Sequence, residues 1–266
     1  MILDMNVYLG RWPFGPLGYE SADDLLRLMD RAGVERAAIS SLNSIFYYDA
    51  EIGNREVGAA AKAHPDRFIP FAVVNPNLLG WRDHLAECVE RFGIRGIKLH
   101  ADYHKFSLVP SDSIGDEMDK LMADARAHRL ATFVQTSLFD MRHHPGYCYV
   151  PEVPISAVVE ALARYKENHF VVGGGLWFRA RSQELVSQAR HAGVANYSIA
   201  TDGIGGYYDG IAWIVKQAGA ERFVYSSRSP ILYTEAAKEV IETSELADAE
   251  KAAILGGNAA RLLGLG

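Results

Sequence analysis

Short apolar runs alternate with longer amphipathic stretches from one end of the chain to the other. The runs are Met1–Met5, Ala37–Ser41, Arg67–Val74, Gly96–His100, Ala131–Gln135, His169–Gly173, Asn196–Ala200 and Arg222–Ser226. Most are continuous in apolar character rather than alternating, which suits parallel strands buried on both faces. Helical stretches are expected between them, over Ser21–Ala32, Glu51–Ala63, Trp81–Phe92, Ser113–His128, Ile155–Tyr165, Arg181–Ala192, Tyr208–Ala218 and Thr234–Thr243. Ser21, followed by Asp23 and Asp24, has the chemistry of a helix N-cap, and Gly33 and Gly93 stand where helices should end. Eight such units in succession predict an α/β protein built as a single (β/α)8 TIM-type barrel over residues 1–266. The segment Asp248–Leu263 then supplies one or two extra C-terminal helices. The pattern contains no linker, repeat or low-complexity tract.

Composition narrows the function classes. With 266 residues, 49% of them hydrophobic, the chain can bury a large core. A formal net charge of −6 gives no reason to expect a nucleic-acid partner or an anionic membrane surface. No apolar run approaches the roughly 18 residues of a membrane-spanning helix. No basic leader precedes the first strand, and Cys88 and Cys148 form neither a disulfide framework nor a cysteine metal motif. A cytoplasmic setting is the expectation. No Gly-rich phosphate loop follows the first strand, and Gly173-Gly174-Gly175 is too bare to be one, so no dinucleotide cofactor is expected.

Several motifs then fall at barrel spacing: Ile2-Leu3-Asp4, His64-Pro65-Asp66-Arg67-Phe68, Gly96-Ile97-Lys98-Leu99-His100, Gly219-Ala220-Glu221-Arg222-Phe223 and Ile254 through Leu263. In this ordered set the chain resembles the amidohydrolase-related barrels of the amidohydrolase superfamily, the branch containing decarboxylases and lactonases. The resemblance implies a metal-dependent barrel, but the residues that would hold the metal differ. Where the family carries His-x-His on its first strand, this chain has Asn6-Val7-Tyr8. The fifth-strand histidine is replaced within Phe133-Val134-Gln135-Thr136, and Val171-Val172-Gly173-Gly174 offers none on the sixth. The aspartate expected after the eighth strand is Arg228, within Ser226-Ser227-Arg228. A catalytic zinc needs three or four His, Cys or carboxylate donors near 2 Å, and a fixed cation opposes a divalent ion. The expectation is therefore no metal and no other cofactor.

The C-terminal ends of the strands carry function in this fold. Candidates there are Asn6, Tyr8, Arg11, Lys98, His100, Tyr103, His104, Gln135, Asp202 and Arg228. Lys98 and His100 differ by two and face one side of their strand. With His104 they are the candidate catalytic groups, since imidazole titrates near neutrality; pairing of Lys98 with a carboxylate and capping of a loop by His100 are the structural alternatives. Arg228 with Lys98 would make a cationic floor suited to a small acidic metabolite, unless Asp4, Asp202 or another acid neutralises Arg228 internally. Asn6, Tyr8 and Gln135 would add neutral hydrogen bonds, with Arg11, Tyr103 and Asp202 as further ligand contacts.

His143 and His144 follow the fifth strand; adjacent side chains of an extended chain point apart, so they read as a surface loop rather than a chelating pair. The aromatic clusters Phe46-Tyr47-Tyr48 and Tyr207-Tyr208, with Trp12 and Trp177, fit either a pocket wall or a homo-oligomer contact.

Two functional readings follow. In one, a metal-free amidohydrolase-like enzyme acts on a lactone, amide or related bond of an acidic metabolite, as the resemblance permits because some lactonases of that superfamily are metal-independent. In the other, a non-catalytic barrel binds a ligand or a partner protein. The second predicts a mouth filled by Trp12 or Tyr8, with Arg228 locked in an internal salt bridge and no cavity.

Overall fold

In a computed structural model, which describes residues 1–47, 50–138, 144–174, 178–204 and 209–265, eight strands alternate with helices. The strands are β1 (Leu3–Leu9), β2 (Arg36–Ser41), β3 (Phe68–Val73), β4 (Gly96–Leu99), β5 (Ala131–Gln135), β6 (Phe170–Gly173), β7 (Tyr197–Ala200) and β8 (Phe223–Val224). They lie in chain order, with every neighbouring pair parallel. The ring closes between β8 and β1, where Met5 N donates to Tyr225 O at 2.9 Å and Tyr8 N to Ser229 O at 2.8 Å. This is a TIM barrel.

The helices follow their strands: α1 (Ala22–Ala32), α2 (Asn43–Phe46), α3 (Ala50–Ala63), α4 (Trp81–Phe92), α5 (Ala101–His104), α6 (Glu117–Ala127), α7 (Ile155–Arg164), α8 (Phe178–His191), α9 (Gly210–Ala218) and α10 (Thr234–Glu242). Ser21 caps α1 reciprocally: its Oγ accepts from Asp24 N, and its own N–H donates to the Asp24 carboxylate. Gly33 ends α1 with φ 69°, in the left-handed region that a Cβ disfavours. The sixth helix is shorter than its pattern suggests, because Ser111–Gly115 closes a turn with Gly115 at φ 58°. α2 and α5 are single turns inside βα loops, too short for periodicity to reveal.

β1 runs past Met5 to Leu9, beyond its expected end. A register shift between Asp4 and Val7 accounts for its sequence. Before the shift Leu3 and Met5 join the apolar barrel interior with Phe71, Phe133, Val171 and Val224. After it Val7 and Leu9 pack outward among the helices, which turns Asn6 and Tyr8 to the axis. The barrel interior is thus apolar below and polar above. The base is closed by α11 (Asp248–Ala252), a π turn over Ala253–Gly257, and α12 (Asn258–Leu263), whose Ala259 and Leu263 join the lower interior. These are the expected extra C-terminal helices.

Candidate functional site

The upper interior holds a cross-barrel polar network. The Lys98 amine donates to Asn6 Oδ1 and, at 3.2 Å, to Ser40 Oγ. It also lies 3.6 Å from the centroid of the Tyr8 ring and 4.9 Å from that of Phe133. Asn6 Nδ2 donates to Gln135 Oε1 at 3.1 Å, and the Tyr8 hydroxyl to the same oxygen at 3.4 Å. Gln135 in turn donates to the carbonyls of Ser137 and Gly174. All five side chains are buried. Burial pushes the Lys98 amine well below its ordinary pKa, and the Tyr8 phenol well above its own.

Arg228 is held beside this network in the left-handed backbone region, at φ 61°. Its Nε and Nη2 both reach Asp202 Oδ2, at 3.0 and 2.6 Å, and Ser226 Oγ donates to Asp202 Oδ1 at 2.9 Å. Of the two readings of Arg228, the structure has the paired one, with Asp202 as the acid. Together with the depressed Lys98, this makes the floor polar and nearly neutral rather than strongly cationic. Asp4 lies alongside: its Oδ1 accepts from the backbone of Asn6 and Ser227, while Oδ2 has no partner among the described residues. Burial raises this carboxyl to about 7.

His100 stands toward the mouth from Lys98. It is fully buried, yet neither ring nitrogen has a hydrogen-bond partner among the described residues. It occupies the N-cap position of α5 without capping it. Its ring centroid is 6.1 Å from that of Tyr8 and 6.3 Å from that of His104. Burial first, then the neighbouring charges of Lys98, His104 and Arg228, holds its pKa well below the ordinary value. His104 is pushed down to about 4, again by burial, and its Nε2 faces the Ile45 carbonyl at 3.1 Å. That contact places the proton on Nε2 and leaves Nδ1 unpartnered among the described residues.

Aromatic rings cover these groups. Trp12, 2% exposed, meets Phe14 and Phe46 edge to face. Phe46 meets Tyr103 in the same way, and the Tyr103 hydroxyl bonds His144 Nε2. His144 lies 3.8 Å from Phe14 between ring centroids and is buried. This corrects the surface-loop expectation for His144: the loop folds back so that its ring joins the apolar cluster. His143, Tyr48, Trp177, Tyr207 and Tyr208 lie outside the described residues. Arg11, next to the end of β1, is exposed.

The network brings Asn6, Tyr8, Lys98 and Gln135 together, with Arg228 and Asp202 bound to each other and His100 above. Ser40, Asp102 and His144 are additions that sequence reasoning did not place at the site, and Asp4, considered there as a partner of Arg228, instead accepts from backbone N–H groups. Ser40 was accessible through register, since it pairs with Tyr8 across β1 and β2. Asp102 Oδ2 accepts from Leu138 N at 3.1 Å, and burial raises its carboxyl to about 6.

The donor set does not fit a catalytic divalent metal. Asn6 Oδ1 is occupied by the Lys98 amine, Gln135 Oε1 by two donors, and the eighth-strand position by a guanidinium. His100, His104, Asp4 and Asp102 keep unpartnered donor atoms, but among the described residues no three of them converge as a catalytic metal requires. Away from the axis, Glu51, His84 and Glu87 converge beside a cavity of about 540 Å³. Arg55 bonds both carboxylates there, at 3.0 and 2.9 Å, and so opposes a cation.

The amidohydrolase family model matches residues 18–265, which takes in every strand after the first. The chain belongs to the amidohydrolase family. No curated sequence matches it. Solved structures similar to this family member include 2,6-dihydroxybenzoate decarboxylase from Rhizobium, at 14% identity and a TM-score of 0.73, covering 100% of this chain and 99% of that one. A 5-carboxyvanillate decarboxylase from Novosphingobium aromaticivorans, complexed with manganese and a nitrobenzoic acid, gives 11% identity and a TM-score of 0.74 over 99% and 96%. A 4-oxalomesaconate hydratase from Rhodopseudomonas palustris gives 16% and 0.68, again over 99% and 96%. At these identities the likeness is one of fold.

Proposed function

We propose that this amidohydrolase-family chain acts without the family's metal on a small acidic molecule, by acid–base chemistry at the barrel mouth. The observation that carries the reading is His100, a fully buried imidazole with both nitrogens uncommitted among the described residues. An unpaired polar group in such a site costs about 1–3 kcal/mol unless a partner arrives, and a substrate is the partner a catalytic imidazole waits for. Kept neutral by burial, His100 can take a proton at one nitrogen while donating from the other. His104 Nδ1 is a second acceptor on the same turn. Gln135, Asn6 and Tyr8 hold the floor rigid below the reacting bond. Because Asp202 engages Arg228, the exposed Arg11 is the guanidinium that meets an incoming carboxylate first. Two of the similar structures are decarboxylases named for small aromatic acids, which supports an acid of that size as the ligand.

The test is turnover by chelator-treated protein of a panel of small aromatic and aliphatic acids, their lactones and their amides. Replacement His100→Gln is expected to lower kcat by about 10²-fold or more while the fold persists. Activity that vanishes on chelation and returns with one equivalent of zinc or manganese would refute the metal-free reading.

One observation favours the non-catalytic alternative. An internal Arg228–Asp202 pair together with a buried Trp12 is the arrangement expected of a barrel that only binds. Saturable acid binding with no turnover across the panel would select it.

A further inference from the structure

Lys98 has no chemical role in proton transfer through His100, yet it brings a primary amine to the barrel axis. Its hydrogen bonds go to two neutral acceptors, Asn6 Oδ1 and Ser40 Oγ, and to no carboxylate. Burial dominates its surroundings; Asp202, engaged by Arg228, and Asp4 favour charge on the amine from a distance, and the Arg228 guanidinium opposes it. Charging a buried amine carries a desolvation penalty. The Tyr8 and Phe133 rings offset only part of that as cation–π attraction, so burial favours the neutral amine. A neutral amine has two N–H bonds and one lone pair. Asn6 and Ser40 take the two N–H bonds and hold the lone pair in a fixed direction. Desolvation beside another cation is the setting in which a lysine becomes a nucleophile.

We propose that Lys98 is such a nucleophile and captures the carbonyl carbon of a small 2-oxo acid as an imine, with His100 moving the protons. The inference rests on the reading of this site as catalytic, and it narrows the acidic ligand to one with an adjacent carbonyl. The lone pair of Nζ adds to the carbonyl carbon, and His100 takes a proton from the nitrogen at one ring atom while giving one to the oxygen from the other, which yields a neutral carbinolamine. The remaining amine proton is relayed through His100 in the same way to the departing hydroxyl, the C–O bond breaks as C=N forms, and water leaves. Amine and carbonyl are thereby converted to imine and water, with no oxidant or reductant required. Positive charge grows on nitrogen along this path, and the Tyr8 ring 3.6 Å away stabilises the iminium more than the starting amine. Water attack in the reverse sense releases the lysine.

Reductive trapping tests this on the full-length wild-type protein. Pyruvate or glyoxylate is added with cyanoborohydride near pH 6.5, where ordinary lysines are ammonium ions, and the adducts are mapped by peptide mass spectrometry. Labelling of Lys98 is expected to exceed that of the exposed Lys62, Lys105 and Lys216 by about tenfold or more, and the selectivity is expected to vanish on denaturation. An adduct pattern that follows exposure and spares Lys98 overturns the proposal, and needs no variant that must first fold. His100-dependent turnover of the acid panel without a Lys98 adduct would overturn the imine and leave the acid–base site standing. Absence of both would overturn the two together.

Discussion

Arg228 and Asp202 form an ion pair at the top of the barrel, Nη2 to Oδ2 at 2.6 Å, with side chains 2% and 0% exposed. The pair joins β8 to β7 where the strands themselves share few backbone bonds. Asp202→Asn leaves a guanidinium buried without a counter-charge, an error that costs about 3–5 kcal/mol. Urea denaturation is expected to show a loss of that size. Replacing both residues by apolar ones of similar volume should cost much less, so a double-mutant cycle should return a large coupling energy.

Asp4 makes stability depend on pH in a definite direction. Its carboxyl titrates near 3.8 when unfolded and at about 7 when folded. The folded state therefore holds this proton more tightly, so the contribution is complete below about pH 4 and is lost as pH rises through 7. Asp102, raised to about 6, acts in the same sense. His104, lowered to about 4, acts in the opposite one: its contribution is present above the ordinary 6.5 and is lost as pH falls through 4. Asp4→Asn keeps a neutral side chain at every pH. Between pH 5 and pH 8 the wild type should lose on the order of 1 kcal/mol or more relative to this variant, read from urea midpoints.

Gly96 has no room for a side chain. A Cβ there would sit 2.4 Å from the Phe71 ring and 2.8 Å from the Ala131 carbonyl oxygen. Gly96→Ala forces that ring or the β5 backbone to move, at about 1–3 kcal/mol. The displaced ring lies in the apolar layer beneath the Lys98 network, so the variant should also weaken ligand binding. A thermal melt and a binding titration on one preparation check both.

Trp12 is the largest ring of the buried aromatic cluster that it forms with Phe14, Phe46 and His144. Removing it by Trp12→Ala should cost about 3–5 kcal/mol as a buried aromatic. Any gain in accessibility of the mouth should appear as faster labelling of Lys98 under the trapping conditions above. A loss of stability without faster labelling would mark Trp12 as core alone.

The periodicity of the chain carried the architecture. Apolar runs such as Ala131–Gln135 and amphipathic stretches such as Trp81–Phe92 match observed elements residue for residue, because a buried parallel strand and a one-faced helix each impose a local pattern. The replaced motif positions were equally legible, since residue identity alone shows Asn6, Gln135 and Arg228 where histidine or aspartate donors were expected. Pairing across the barrel was not legible. Asp202 and Ser226 were both visible near strand ends, but which acid meets Arg228 depends on the closed geometry of β7 and β8. The turn of Asn6 and Tyr8 to the axis required the β1 register shift, and the burial of His144 required its loop to fold back on Phe14. Local patterns fix which face of an element is apolar. Only the closed barrel decides which polar groups from distant strands meet on its axis, and so which charges are neutralised there and which imidazole is left unpaired.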